Sequence, residues 1–146
     1  MGSTPSASRT VVIERPVEEV FAFLSDCEND PEWRPHVRSI RREGAYGKGA
    51  VYRQTVAGPA GQSITADFIV TEFEENRGFA FSVLSGPVRP HGVFNFVPVP
   101  EGTQITLDLG AELGRVKGLL LGGMVQKSMD GEVAGLDRAK QVLEAR

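Results

Sequence analysis

Few side chains in this chain combine the chemistry to move a proton with a setting in which to do so, and they are dispersed. His91 is the strongest, because an imidazole titrates near neutral pH and can act as general acid or base, for example on a proton alpha to a carbonyl. It stands between Pro90 and Gly92, ahead of Phe94 and Phe96. That position reads as a strand start or bulge at a rim, where a structural or ligand-contacting histidine is the competing reading. Tyr52 offers a hydroxyl that could hydrogen-bond a bound molecule, with edge packing as the alternative. Strand alternation puts its neighbour Arg53 on the opposite face. Arg53 and Asp67 read as surface groups facing each other across adjacent strands, and Asn95 as solvent-facing.

Other chemistries lack their residues. His36, His91 and Cys27 fall at no metal-ligand spacing, so no metal site is expected. Gly122-Gly123 is followed by Met124 and Val125, where a phosphate loop needs Lys and Ser or Thr. Gly-x-Ser-x-Gly is absent, which leaves a hydrolase nucleophile elbow unsupported. No cofactor is expected.

The bulk numbers set the class. At 146 residues the chain fits one domain, and a domain of this size buries roughly 70 % of its unfolded surface. A net charge of -3 argues against nucleic acid as a partner. The densest basic stretch, Arg34 to Arg42, also holds Pro35, Val37 and Ile40, and reads as the solvated face of a strand. A single cysteine, Cys27, rules out an internal disulfide and suits a reducing cytoplasm. The longest near-apolar run, Gly118 to Val125, is less than half a bilayer span, so stable membrane insertion is not expected. Residues 1–8, MGSTPSAS, read as a disordered tail, with a single domain over residues 9–146. Nothing in the sequence fixes the oligomeric state, and a homodimer is compatible with it.

The elements that must position any site follow from periodicity. Val11 and Ile13 alternate with polar or less buried neighbours in a short opening strand over Arg9 to Arg15. Pro16 suits a helix start, and Val17, Val20, Phe21 and Leu24 form one apolar stripe behind Glu18 and Glu19. A short helical turn through Glu32 and Trp33 precedes Pro35. Strands are predicted over Val37 to Glu43, Ala50 to Val56, Ser63 to Phe73, Phe79 to Leu84, Val88 to Val97 and Thr103 to Leu113. Short breaks, most of them containing Gly, make neighbouring strands antiparallel hairpins. Phe79, Phe81 and Val83, and likewise Ile105, Leu107, Leu109 and Ala111, alternate with smaller or polar residues, so the sheet is covered on one side. The cover is a terminal helix from about Gly114 to Arg146, with Val125, Met129, Val133, Leu136 and Leu143 on its stripe.

In this order the pieces resemble the START-like superfamily, also called SRPBCC or birch-pollen-allergen-like, and within it the polyketide cyclase/dehydrase-like proteins. The resemblance is carried by the opening strand, by PVEEVFAFLSD from Pro16 to Asp26, and by Pro31-Glu32-Trp33. Further matches are EFEENRGFAF from Glu72 to Phe81, Gly102-Thr103, and the glycine-rich terminal helix. It implies an α+β helix-grip fold, in which a curved antiparallel sheet of about seven strands wraps a long C-terminal helix and two short helices follow the first strand. It also implies a cavity for sterols, lipids, polyketides or other hydrophobic compounds, but no single reaction.

A sheet laid over one helix must bury apolar surface, and a helix that seats loosely leaves a pocket. Gly118, Gly122 and Gly123 suggest such a seat. The expected walls are Phe68, Phe79, Phe81, Phe94, Phe96, Met124 and Met129, with Trp33 and Tyr52 beside them; each could equally be plain core. The first functional reading is binding or transport of a hydrophobic small molecule. A cyclase or dehydratase is the alternative, which two or more buried polar groups converging on one pocket would favour. A protein-interaction module, with a filled cavity and an exposed apolar patch, is the third.

Overall fold

The computed structural model describes residues 5–85, 88–111 and 118–146, without the side chains of residues 59 and 118–122. Among the described residues, eight strands run in chain order: β1 (Ser6–Ile13), β2 (Val37–Glu43), β3 (Val51–Ala57), β4 (Ser63–Thr65), β5 (Phe68–Glu74), β6 (Gly78–Val83), β7 (His91–Val99) and β8 (Gly102–Gly110). Seven form one curled antiparallel sheet in the order β1-β8-β7-β6-β5-β3-β2, and short β4 pairs with β3. Helix α1 (Val17–Ser25) and a 3-10 turn (Cys27–Glu32) follow β1. Helices α2 (Gly118–Ala134) and α3 (Leu136–Glu144) close the chain. The helix-grip architecture implied by the sequence is the architecture observed.

Alternation and helical stripes place the core. Ile105, Leu107, Leu109 and Ala111 are buried, as are Val20, Phe21, Phe23 and Leu24 of α1 and Met129, Val133, Leu136 and Leu143 of the terminal helices. Phe21 meets Phe73, Phe79 and Phe96 edge-on, with ring centroids 5.3, 6.3 and 5.0 Å away, which wedges α1 into the sheet's concave side. The terminal helices dock on β1. Lys140 Nζ donates to the Val12 carbonyl at 2.6 Å, Glu14 N–H to Glu144 at 2.8 Å, and Arg9 to Asp137 at 2.6 and 2.8 Å. Gln126 reaches both the N–H and the carbonyl of Ser6.

Four sequence expectations are corrected. Residues 6–8 of the expected disordered tail are strand, because Ser6, Ala7 and Ser8 pair with Gly110, Leu109 and Asp108. The single strand over Ser63 to Phe73 is two, since Ala66 N–H turns to the Gln54 carbonyl and Asp67 accepts from Gln54 N–H. The strand expected from Val88 begins at His91, after Pro90. The single terminal helix is interrupted at Gly135, where a Cβ would lie 3.4 Å from the Trp33 ring. A residue without a side chain lets the indole approach, at a cost in helix propensity. The expected end of the last strand, Glu112 to Leu113, the helix start at Gly114, and the Gly86-Pro87 break lie outside the described residues. So do the side-chain environments of Gly118 and Gly122.

Gly102, which starts β8, has φ +145°, and a Cβ there would stand 2.2 Å from the Ile13 carbonyl oxygen. The next residue, Thr103, is fully buried and donates its hydroxyl to the Arg15 carbonyl at 2.8 Å. Gly102→Ala is therefore expected to lose about 2 kcal/mol or more of stability from backbone strain and clash, read as a lowered urea midpoint at unchanged m-value. A wild-type midpoint would show that the close approach is not needed.

Candidate functional site

Between α2, the 3-10 turn and the concave face of β3, β5, β6, β7 and β8 lies a cavity of about 150 Å³. The enclosed part of such a cavity accepts one ring the size of benzene, and because the cavity is not sealed the rest of a larger molecule can extend through its opening. Its walls are mostly aromatic and aliphatic: Phe68, Phe79, Phe81, Phe94, Leu107, Leu109 and Met129, with Val56, Ala66, Val83 and Pro90 toward the strand ends. Phe79 and Phe94 stack with centroids 4.5 Å apart, so part of the wall is a pair of nearly parallel rings.

One end of the cavity is polar. Asp30, Arg34, Gln54, Ser128 and Glu132 all border it. Arg34 is the hub, with its side chain only 12 % exposed. Its Nη1 donates to Asp30 Oδ2 at 2.9 Å and to Gln54 Oε1 at 3.2 Å. Its Nε and Nη2 donate to Glu132 at 3.0 and 3.3 Å. Gln54 completes its own bonding by donating Nε2 to the Ala66 carbonyl at 3.0 Å. His36 Nε2 contacts Glu132 Oε1 at 2.5 Å from the outer side, where a shallow groove is bounded by Trp33, Arg34, His36, Glu132 and Arg138.

The two carboxylates answer this environment in opposite directions. Burial pushes the Asp30 carboxyl up to about 6, only partly offset by the Arg34 charge. Burial also raises Glu132, but the His36 hydrogen bond and the Arg34 charge outweigh it and hold it down at about 2. Arg34 is lowered by burial and raised further by Glu132 and Asp30, so it stays charged. Cys27, also in the cavity wall, is held well above its ordinary value by burial and remains a thiol rather than a nucleophile. Two buried polar atoms beside this cluster, Asp30 Oδ1 and Trp33 Nε1, have no well-formed hydrogen bond among the described residues. The indole N–H still favours the Asp30 carboxylate.

Of the nine residues expected as walls, Trp33, Phe68, Phe79, Phe81, Phe94 and Met129 border the cavity. Tyr52 and Phe96 are buried in the core beside it. Tyr52 stacks on Phe68 at 5.1 Å, and burial pushes its hydroxyl up. Met124 is 60 % exposed, because the buried stripe of α2 runs through Val125, Met129 and Val133. His91, the candidate base, is exposed on the convex face, where alternation turns it away from Gly92 and Phe94. Arg53 does face Asp67 at 2.9 Å on the surface.

Sequence reasoning misses the polar end itself. Arg34 sits in the basic stretch that reads as a solvated strand face, but it precedes β2 and turns inward. Two signals point to it: Asp30 and Arg34 stand four residues apart around Trp33, and Glu132 adjoins the stripe residue Val133. Among the described residues no three His, Cys, Asp or Glu side chains cluster as metal ligands, and no helix is long and apolar enough to cross a membrane.

A curled sheet gripping a helix over an apolar cavity is the architecture of a known family. The chain belongs to the polyketide cyclase/dehydrase and lipid transport family, whose model matches residues 4–144. The di-domain ARO/CYC BexL from the BE-7585A biosynthetic pathway superposes with TM-score 0.81 at 22 % identity, over 98 % of this chain and 51 % of that one. This chain thus spans about half the length of BexL. TTHA0849 from Thermus thermophilus matches with TM-score 0.78 and 24 % identity over 98 % of both chains. Ara h 8.0201 matches with TM-score 0.76 and 12 % identity over 99 % of this chain and 100 % of that one. At such identities the likeness establishes the fold alone. No curated protein matches the sequence.

Asp30 gives the site a testable pH signature. Its folded value lies above the ordinary 3.8, so the folded state binds the proton more tightly than the unfolded state does. The stability it contributes is full below about pH 4 and is lost as pH rises through about 6. The stability of Asp30→Asn minus that of wild type should accordingly rise by up to about 3 kcal/mol from pH 4 to pH 7, measured by urea unfolding at each pH. A difference independent of pH would show that Asp30 ionises as freely in the fold as in water.

Proposed function

We propose that this protein binds a hydrophobic small molecule in the cavity under α2 and carries or sequesters it. The supporting observation is an interior space walled by stacked aromatic rings and closed at one end by a hydrogen-bonded ion cluster. Burial of a ring against such walls supplies affinity at about 25 cal/mol per Å² of apolar area removed from water. The polar end fixes orientation. A filled interior would favour an interaction module, and the space beside Phe79 and Phe94 gives that reading no support.

A second reading, a cyclase or dehydratase of polyketide type, is favoured by one observation: Asp30, Arg34 and Glu132 converge on the same cavity. Asp30 exchanges its proton near pH 6, within the range where a carboxyl group serves as general acid or base. It is a stronger candidate for that role than His91, which faces away.

Uptake of the neutral dye N-phenyl-1-naphthylamine tests the binding reading. A saturable fluorescence rise with one dye per chain is expected. Ala66→Phe, at a half-buried position on the cavity margin, should weaken uptake at least tenfold while the unfolding midpoint stays near wild type. Dye fluorescence that does not saturate, or that is unaffected in a folded Ala66→Phe protein, would sink the proposal.

A further inference from the structure

We infer that the polar end of the cavity selects ligands ending in a neutral hydrogen-bond donor, a phenol or alcohol, and rejects carboxylates of the same shape. This rests on the ligand-binding reading and deepens it by naming the ligand's polar group. The reasoning is a count of donors, acceptors and charges. A guanidinium has five N–H donors, and four of those on Arg34 are engaged by Asp30, Gln54 and Glu132. One N–H on Nη2 is left. The carboxylates are less fully used: Asp30 Oδ2 accepts from Arg34, whereas Oδ1 has no well-formed bond. Glu132 accepts from Arg34 and contacts His36, and each carboxylate offers about four lone-pair sites. The Gln54 amide is committed at both its oxygen and its nitrogen. The Trp33 indole N–H is a second donor without a well-formed bond, but among the described residues the spare lone-pair sites on Asp30 and Glu132 still outnumber these two donors.

Charge points the same way. One guanidinium already answers two carboxylates, so an incoming carboxylate would be a third anion around one cation, in a site where screening by water is weak. His36 contacts Glu132 from the outer groove at a part-exposed position, so water weakens its effect inside the cavity. A neutral hydroxyl brings no charge to desolvate, donates to a spare carboxylate lone pair, and can accept from the remaining Nη2 N–H or from Ser128.

The test uses the whole chain at pH 7, loaded with N-phenyl-1-naphthylamine and displaced by three molecules of one shape: 2-naphthol, 2-methoxynaphthalene and 2-naphthoate. The naphthol is expected to displace the dye at a concentration at least tenfold below the naphthoate, with the methyl ether between them. Glu132→Gln, and independently Asp30→Asn, remove one negative charge and should shrink the naphthol-to-naphthoate preference at least fivefold. Naphthoate as good as naphthol overturns the inference, and so does an ether as good as naphthol. An unchanged preference in both variants, each shown folded by circular dichroism, also overturns it. If the dye itself is not taken up, the ligand-binding reading fails first and this inference falls with it, a result distinct from a wrong order among the three competitors.

Discussion

The structure depends on how unevenly its terminal helices are seated. At the C-terminal end, Leu136, Ala139 and Leu143 are completely buried, and Arg15 donates to the Glu144 and Arg146 carbonyls at 2.7 and 2.9 Å. Further back, α2 offers Met129 and Val133 to the interior, and Met129 and Glu132 border the cavity. The anchored end is α3, which docks on β1 and the residue after it through Asp137, Lys140 and Glu144. Among the described residues a void is left beneath α2, against the concave face.

Setting an arginine at the edge of that void requires compensation. A buried guanidinium is costly alone, and its pairing with carboxylates repays the desolvation only when the geometry is good and the remaining polar atoms are satisfied. Here the partners come from three places: the 3-10 turn, strand β3 and helix α2. The cluster thus ties together elements that the cavity would otherwise hold apart. A buried ion pair is weak evidence for stability, and in this chain the pairing forms the closed polar end of the cavity.

Much of the frame was legible in the sequence because it rests on periodicity. The stripe from Val125 to Leu143, the alternation through Ile105 to Ala111 and the α1 stripe each depend on local spacing alone. The split between β4 and β5 was not legible, because Ser63 to Phe73 has unbroken strand character and the interruption comes from Gln54, on another strand. Arg34 was hidden for the same reason: its burial is decided by Glu132, 98 residues away. Met124 and Met129 look alike as adaptable apolar residues, and only helical phase separates the exposed one from the buried one. Local rules reached the elements, whereas the polar site depends on contacts distant in sequence.

Among the described residues the sheet is open, so the outer backbone groups of β1 and β2 have no strand partner. On β1 and just beyond it, side chains of the terminal helices meet several of these groups: Gln126 serves both groups of Ser6, Lys140 the Val12 carbonyl, and Glu144 the Glu14 N–H. On β2, Glu28 of the 3-10 turn accepts the Arg42 N–H at 2.9 Å. These polar residues act as a hem, occupying positions where a strand from another molecule would otherwise add. The helices that roof the cavity thereby also help to keep concentrated protein from joining edge to edge.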